Sequence, residues 1–402
     1  MIRDPLRFAA AVLLCCVGGG GAMAAMPAAA AEPSPPAAQV AAQVAEVRLP
    51  QSRQWTQRAT GSGREYAVFV AIPDGPAPAG GYATIYVLDG NAMFLTAAEA
   101  VRAYARRRDP ERDTRAIVVG IGYPDGVDIP AARTFDMTPP VQEPRSRYPA
   151  GGADAFLAFI EDDLKPRIAR EFAVDPRRQA LMGHSFGGLF TLYTLTRRPQ
   201  AFQTYVGMSS SFWFGGHDLS TRVAAFAQAR GADAEPLRVL MTAGEFEQRP
   251  SPEDWARDPE RASKAAADLA QRGQVVRARE AAQQLAQAPH MLVDMREIAG
   301  EDHGTVIPAA IGRGVDFILN GPRDVPPVPT AQAYMALGPE GRYRLRLTVR
   351  ALPDPNRIPW LNALKANLKH GLDAAQRKQL HDERQQMDAS HGSQPHQVNA
   401  DQ

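Results

Sequence analysis

The stretch Gln179-Ala-Leu-Met-Gly-His-Ser-Phe-Gly-Gly-Leu189 decides how this chain is to be read. Residues 179–182 form a short run of the kind found in a buried parallel strand, and a helical pattern spans 186–196. Only a very tight turn can join the two through Gly183-His184-Ser185-Phe186-Gly187. Side chains in place of the two glycines are expected to collide with neighbouring backbone. The G-x-S-x-G pattern has meaning in this context, because the turn makes the middle serine project beyond the end of the sheet.

Outward from that turn, the same alternation continues. Residues 66–72 alternate like a half-buried strand. Continuous apolar runs lie at 83–88, 116–121, 204–208 and 237–242, and 292–298 reads as a last strand. Helical patterns occupy 154–170, 219–229, 262–285 and 306–319, the first with Phe156, Phe159, Ile160, Leu164 and Ile168 on one face and a kink at Pro166. Strands buried on both faces and alternating with helices predict an α/β fold with a doubly wound, mostly parallel sheet.

Two segments break the rhythm. Residues 123–152 are rich in Pro and Arg and too long for an ordinary connection, which predicts a cap-like insertion. Pro322-Arg-Asp-Val-Pro-Pro327 marks a boundary, so the catalytic domain is placed at 45–320 and a C-terminal extension at 321–402. That extension reads as one strand at 342–349, a polar helix over about 360–386 and a disordered tail.

The N-terminus has the layout of a secretory signal over 1–31, with Arg3 and Arg7 ahead of a short apolar stretch and small residues after it. A Pro/Ala linker follows at 32–44. Both cysteines, Cys15 and Cys16, fall inside the signal, so the exported chain is expected to hold no thiol, disulfide or cysteine nucleophile. Export without disulfides suits a bacterial periplasm, with secretion as the alternative, and no stable membrane span is expected after cleavage. Lys plus Arg number 45 against 44 Asp plus Glu, a balance that gives no reason to expect nucleic acid as a partner. There is no HExxH, no clustered histidine and no phosphate-cradling Gly-rich loop, so no cofactor is implied.

A serine hydroxyl needs a base. On a sheet of this kind the order along the chain is Ser, acid, His. His303 in Glu301-Asp-His-Gly304 follows the last predicted strand and can return over Ser185, with His217 as its competitor. The acid is expected after 237–242, where Glu245 and Glu247 compete and spacing alone does not choose; Asp294 and Asp302 are more poorly placed. The oxyanion donors are expected at the N–H groups of Phe186 and Asn91, the latter in the Asp89-Gly90-Asn91 turn. Arg133, Arg145 and Arg147 are either solvated loop arginines or a cationic mouth. Trp213 and Phe214 either stack on a substrate or pack in the core.

With these residues in view, the chain resembles the "putative esterase" branch of the α/β-hydrolases. More narrowly it resembles the trilactone siderophore esterases of the enterochelin (enterobactin) and salmochelin type. The likeness rests on Tyr86-Val-Leu-Asp-Gly-Asn-Ala-Met-Phe94, Arg133-Thr-Phe-Asp-Met-Thr-Pro139, Gly151-Gly-Ala-Asp-Ala-Phe156, Gly183-His-Ser-Phe-Gly-Gly-Leu189, Gly244-Glu-Phe-Glu247 and Glu301-Asp-His-Gly304, in family order. It implies an α/β-hydrolase fold and a serine esterase acting on a small-molecule ester, a ferric catecholate trilactone, with release of iron. It also implies Glu247 as the acid and Arg133 near the substrate, although some members work with a Ser–His dyad. Ser210 stands where the family commonly has proline. A broad carboxylesterase of feruloyl type is the alternative chemistry. A non-catalytic siderophore-binding protein on the same scaffold is the alternative class.

Overall fold

The computed structural model describes residues 48–106, 114–142, 146–320, 326–350 and 354–390. The expected signal segment and linker, Arg145 and the C-terminal tail lie outside these residues. Each of the apolar runs read from the sequence is a strand of one sheet: β2 (Glu65–Ala71), β3 (Tyr82–Val87), β4 (Ala116–Gly122), β5 (Val174–His184), β6 (Thr204–Met208), β7 (Leu237–Gly244) and β8 (Met291–Ile298). An eighth, β1 (Ser52–Arg58), was not legible. Its sequence SRQWTQR is mostly exposed, because it lies on the sheet edge and presents apolar surface chiefly through Trp55, which the Arg167 guanidinium covers.

The strand order is β1-β2-β4-β3-β5-β6-β7-β8. β1 and β2 run antiparallel to their neighbours, and β4, β3 and β5 to β8 are mutually parallel. Successive residues of the central strands serve opposite faces. Tyr86 and Leu181 pack with Phe156, Phe159 and Phe190 on one side, while Ile85, Val87 and Met182 pack with Phe94, Ile311 and Val315 on the other. Each such side chain contributes about 1.5–3 kcal/mol by leaving water, which is why the run patterns survive unbroken in the sequence.

The helices are α1 (Gly90–Ala105), α2 (Ile129–Asp136), α3 (Ala153–Ala158), α4 (Lys165–Glu171), α5 (Phe186–Arg197), α6 (Asp218–Ala229), α7 (Pro252–Arg257), α8 (Pro259–Arg272), α9 (Gln274–Ala286) and α10 (Ile307–Asn320), with α11 (Ala331–Ala336), α12 (Gly338–Arg350), α13 (Asp354–Gly371) and α14 (Ala374–Ser390) in the extension. Among the described residues none is long and apolar enough to cross a membrane. The kink expected at Pro166 is taken up one turn earlier, as a π-helical turn at Phe159–Leu164 joining α3 to α4.

Three readings are corrected. The helix expected at 262–285 is two helices, because Gly273 takes φ 58° and closes α8 with its N–H on the Leu269 carbonyl. The strand expected at 342–349 is part of α12. Arg342, Leu345 and Val349 share a face at helical spacing, and there Arg342 is buried against Glu383 while Leu345 and Val349 join Tyr334 and Trp360. The single helix expected over 360–386 is broken after Gly371, where Asp373 and Gln376 exchange side-chain to backbone hydrogen bonds and start α14 anew.

Candidate active site

Three adjacent parallel strands, β5, β6 and β7, end side by side, and the turns that follow them supply Ser185, Ser209 and Glu247. Ser185 follows β5 with φ 60° and ψ −115°, a strained backbone conformation, and its N–H is held by the Met208 carbonyl at 2.9 Å. A Cβ on Gly183 would lie 2.4 Å from the Gly187 carbonyl oxygen, and one on Gly188 would lie 2.8 Å from the Met208 carbonyl oxygen. At Gly187 the nearest atoms would stand off at 3.4 Å, ordinary contact. The collision expected at the two motif glycines is therefore found at Gly183 and Gly188.

His303 arrives from the loop after β8. Asp302 accepts from the backbone N–H of Gly304 and Thr305 at 2.7 and 2.9 Å, which folds the loop into a tight turn around His303. His303 Nε2 lies 3.0 Å from Ser185 Oγ and its Nδ1 lies 2.7 Å from Glu247 Oε2. Glu247, in the turn that follows β7, is 3 % exposed. Its other oxygen accepts from Ser209 Oγ at 2.5 Å and from the Gly244 N–H at 2.6 Å. Burial pushes the Glu247 carboxyl up, but the hydrogen bonds from His303, Ser209 and Gly244 outweigh it and leave its pKa below the usual glutamate value. An ionised Glu247 fixes the proton on Nδ1, and Nε2 then faces the serine hydroxyl as an acceptor.

The competitors are placed elsewhere. Glu245 accepts from the Gly300 N–H at 2.9 Å and pairs with Arg249. Asp294 pairs with Arg296, and His217 Nδ1 lies 3.1 Å from the Phe212 carbonyl. His184 packs its ring on that of His303.

Asn91 is the second residue of α1 and Phe186 the first of α5, positions whose N–H groups have no intrahelical acceptor. The Asn91 side chain clamps Tyr123 through both its backbone groups, accepting from its N–H at 2.8 Å and donating to its carbonyl at 2.9 Å. This ties the turn after β3 to the end of β4. Arg133 reaches in from the inserted segment and holds Asp89 through two hydrogen bonds of 2.8 and 2.9 Å, with its guanidinium 5.5 Å from the Phe186 ring centroid. Its charge is met by Asp89, so it does not form a bare cationic mouth. Arg147 lies over its neighbour Tyr148. Phe214, 1 % exposed, belongs to the core and braces Phe186 edge-on, whereas Trp213 is half-buried, with Arg272 over its ring.

Sequence reasoning missed Ser209 and Gln274. Ser209 follows β6 as Ser185 follows β5, has φ 47°, and receives the Gln274 side-chain amide on its carbonyl. The only signal was a hydroxyl at the carboxyl end of the strand between those carrying Ser185 and the acid. As a whole the arrangement can draw a proton from an alcohol onto a half-exposed imidazole whose other nitrogen rests on a buried carboxylate.

Residues 59–287 match the family described as "Putative esterase". The ferri-bacillibactin esterase BesA of Bacillus subtilis is 34% identical over 283 residues, 68% of this chain and 89% of that protein. The siderophore triacetylfusarinine C esterase of Aspergillus fumigatus is 34% identical over 290 residues, 68% of this chain and 94% of that protein. The solved siderophore hydrolase EstB from Aspergillus nidulans superposes with a TM-score of 0.61 at 32% identity, covering 69% of this chain and 98% of that one. The chain belongs to the "Putative esterase" family and has the α/β-hydrolase fold.

Proposed function

We propose that this carboxylic ester hydrolase opens the ester bonds of a catecholate trilactone siderophore, with Ser185 as nucleophile, His303 as base and Glu247 as the acid that orients it. The observation that carries the assignment is the unbroken hydrogen-bonded run from Ser185 Oγ through His303 to Glu247. Relatives named for ester siderophores support the substrate class.

In this reading His303 Nε2 takes the Ser185 proton as Oγ attacks the ester carbonyl carbon. The oxyanion is received by the N–H groups of Phe186 and Asn91, donors whose loss typically costs about 100- to 1000-fold. The C–O bond to the alcohol breaks, and His303 returns the proton to the departing oxygen. Water then attacks the acyl-serine with its proton going to His303, and collapse frees the acid and Ser185. Arg133, with its charge answered by Asp89, and the half-buried Trp213 shape the mouth for aromatic acyl groups. The enzyme acts in the periplasm after export, where opening the trilactone releases its iron.

Comparing kcat/KM on apo and ferric catecholate trilactones with that on short acyl esters tests the substrate. The siderophore assignment is dropped if the simple esters win by more than about tenfold, roughly 1.4 kcal/mol of transition-state preference. Hydrolysis that persists in Ser185→Ala removes the nucleophile assignment, and a wild type that binds trilactones without cleaving them makes the protein a binder.

A further inference from the structure

Outside the matched residues 59–287, the extension forms a cleft of about 960 Å³ between α12, α13 and α14. Its floor is apolar, formed by Leu345, Val349, Trp360, Leu364, Leu368 and Leu380. The Trp360 indole N–H is taken by the Pro326 carbonyl at 2.7 Å, so that side chain offers the cleft only its ring. The volume lies at the upper end of the roughly 300–1,000 Å³ usual for small-molecule sites. A half-open apolar concavity of that size suits a flexible apolar chain better than a flat protein face.

The polar groups of the lining are unbalanced. Its one acid, Glu383, is already held by Arg342 and Gln379. Arg377 is committed to the carbonyls that end α13. Arg346 makes no close ion pair, sharing the field of Glu383 only at longer range, and Lys365 and Lys369 have no ion pair among the described residues. The Arg346 Nη2 is buried with no hydrogen-bond acceptor, and the two lysines stand one helical turn apart on α13. A buried donor without an acceptor is a cost that a bound anion removes, and three neighbouring cations attract one from solution.

From this juxtaposition we infer that the extension carries a second binding site, separate from the esterase centre, for a free amphiphilic carboxylate. The apolar chain lies on the leucine and tryptophan floor, and the carboxylate is received by Arg346, Lys365 and Lys369. The site needs nothing from the ester chemistry proposed above.

Titration calorimetry of the full chain with decanoate and with 1-decanol, below their aggregation concentrations, tests it. Decanoate is expected to bind one site per chain, more tightly than the alcohol. The R346E/K365E/K369E variant is expected to weaken decanoate by at least about tenfold, the scale of about 1.4 kcal/mol, and to leave the alcohol little changed. Unaltered p-nitrophenyl ester hydrolysis shows that the variant is folded. If Arg346 is not tolerated, the exposed pair K365E/K369E serves, with a smaller but same-signed effect. Absence of decanoate binding overturns the inference, as does binding that the reversals leave unchanged. So does sedimentation showing a dimer that the reversals abolish, since the cleft then belongs to a second copy. Chains that ignore decanoate but float with phosphatidylglycerol vesicles also overturn it, in favour of a membrane surface.

Discussion

The imidazole of His184 lies against that of His303, ring centroids 4.6 Å apart and planes inclined by 42°. The residue before Ser185 thus backs the His303 ring. His184 Nε2 is buried without a hydrogen-bond partner among the described residues. Burial, aided by any positive charge on His303, lowers the His184 pKa from 6.5 to about 4, although Glu247 and Asp89 pull the other way. A neutral ring there supports His303 without competing with it for a proton.

Stability should report this burial. The folded pKa of His184 lies below the unfolded one, so between about 4 and 6.5 the unfolded chain takes up the extra proton and stability falls as pH drops through that window. Urea unfolding at pH 5 is expected to show about 2 kcal/mol less stability than at pH 7 from this group. His184→Gln should flatten that slope. The depressed carboxyl of Glu247 adds its own loss only below 4.5, as pH falls towards its folded pKa. An unchanged slope in the variant would show that burial does not depress the His184 pKa.

Ser185→Ala and His303→Ala are each expected to lower kcat by about 10⁴-fold or more, and the double variant no further, because residues acting as one unit do not add. Glu247→Gln keeps the shape but loses control of the imidazole tautomer, for which about 10⁴-fold is a reasonable scale. A mild effect in Glu247→Gln would place this chain with the Ser–His dyads. Single-turnover rates on one ester measure all four.

Ser209→Ala removes one of three donors from a buried carboxylate. The expected cost is about 1–3 kcal/mol of stability with a fall in kcat, while KM stays near the wild-type value. A purely structural serine would leave the kcat–pH profile in place. Loss of this donor should raise the Glu247 pKa and move the acid limb upward, and Ser209→Thr should restore it.

The glycines separate by crowding. Gly183→Ala and Gly188→Ala drive a Cβ into backbone oxygens and are expected to abolish activity or folding. Gly187→Ala meets only ordinary contacts and sits in a helix, where alanine gains up to about 1 kcal/mol over glycine. Its melting temperature is expected to be equal or higher.

What could be read from the sequence follows from what constrains each residue. The central strands are covered on both faces, so their apolar runs stand out. Ser185 and His303 were legible because a strained turn and a fixed chain order leave few candidates. The choice between Glu245 and Glu247 was not, since it depends on which carboxylate the loop after β8 meets. Gly300 offers its N–H to Glu245, while the His303 ring comes round to Glu247. Strand β1 escaped because an edge position leaves no apolar run, and α12 was taken for a strand because residues 342–350 alternate in polarity; in the helical stretch read at 360–386 only the break after Gly371 was missed. Ser209 was hidden because its partner is distant in the chain.

The left-handed turn at Gly273 has a reach beyond its own helix. It starts α9 with Gln274, whose amide grips Ser209, and Ser209 in turn grips the acid. Any opening of that buried helix start is therefore felt at the Glu247 carboxylate, through Gln274 and Ser209, without a strand of the sheet having to move.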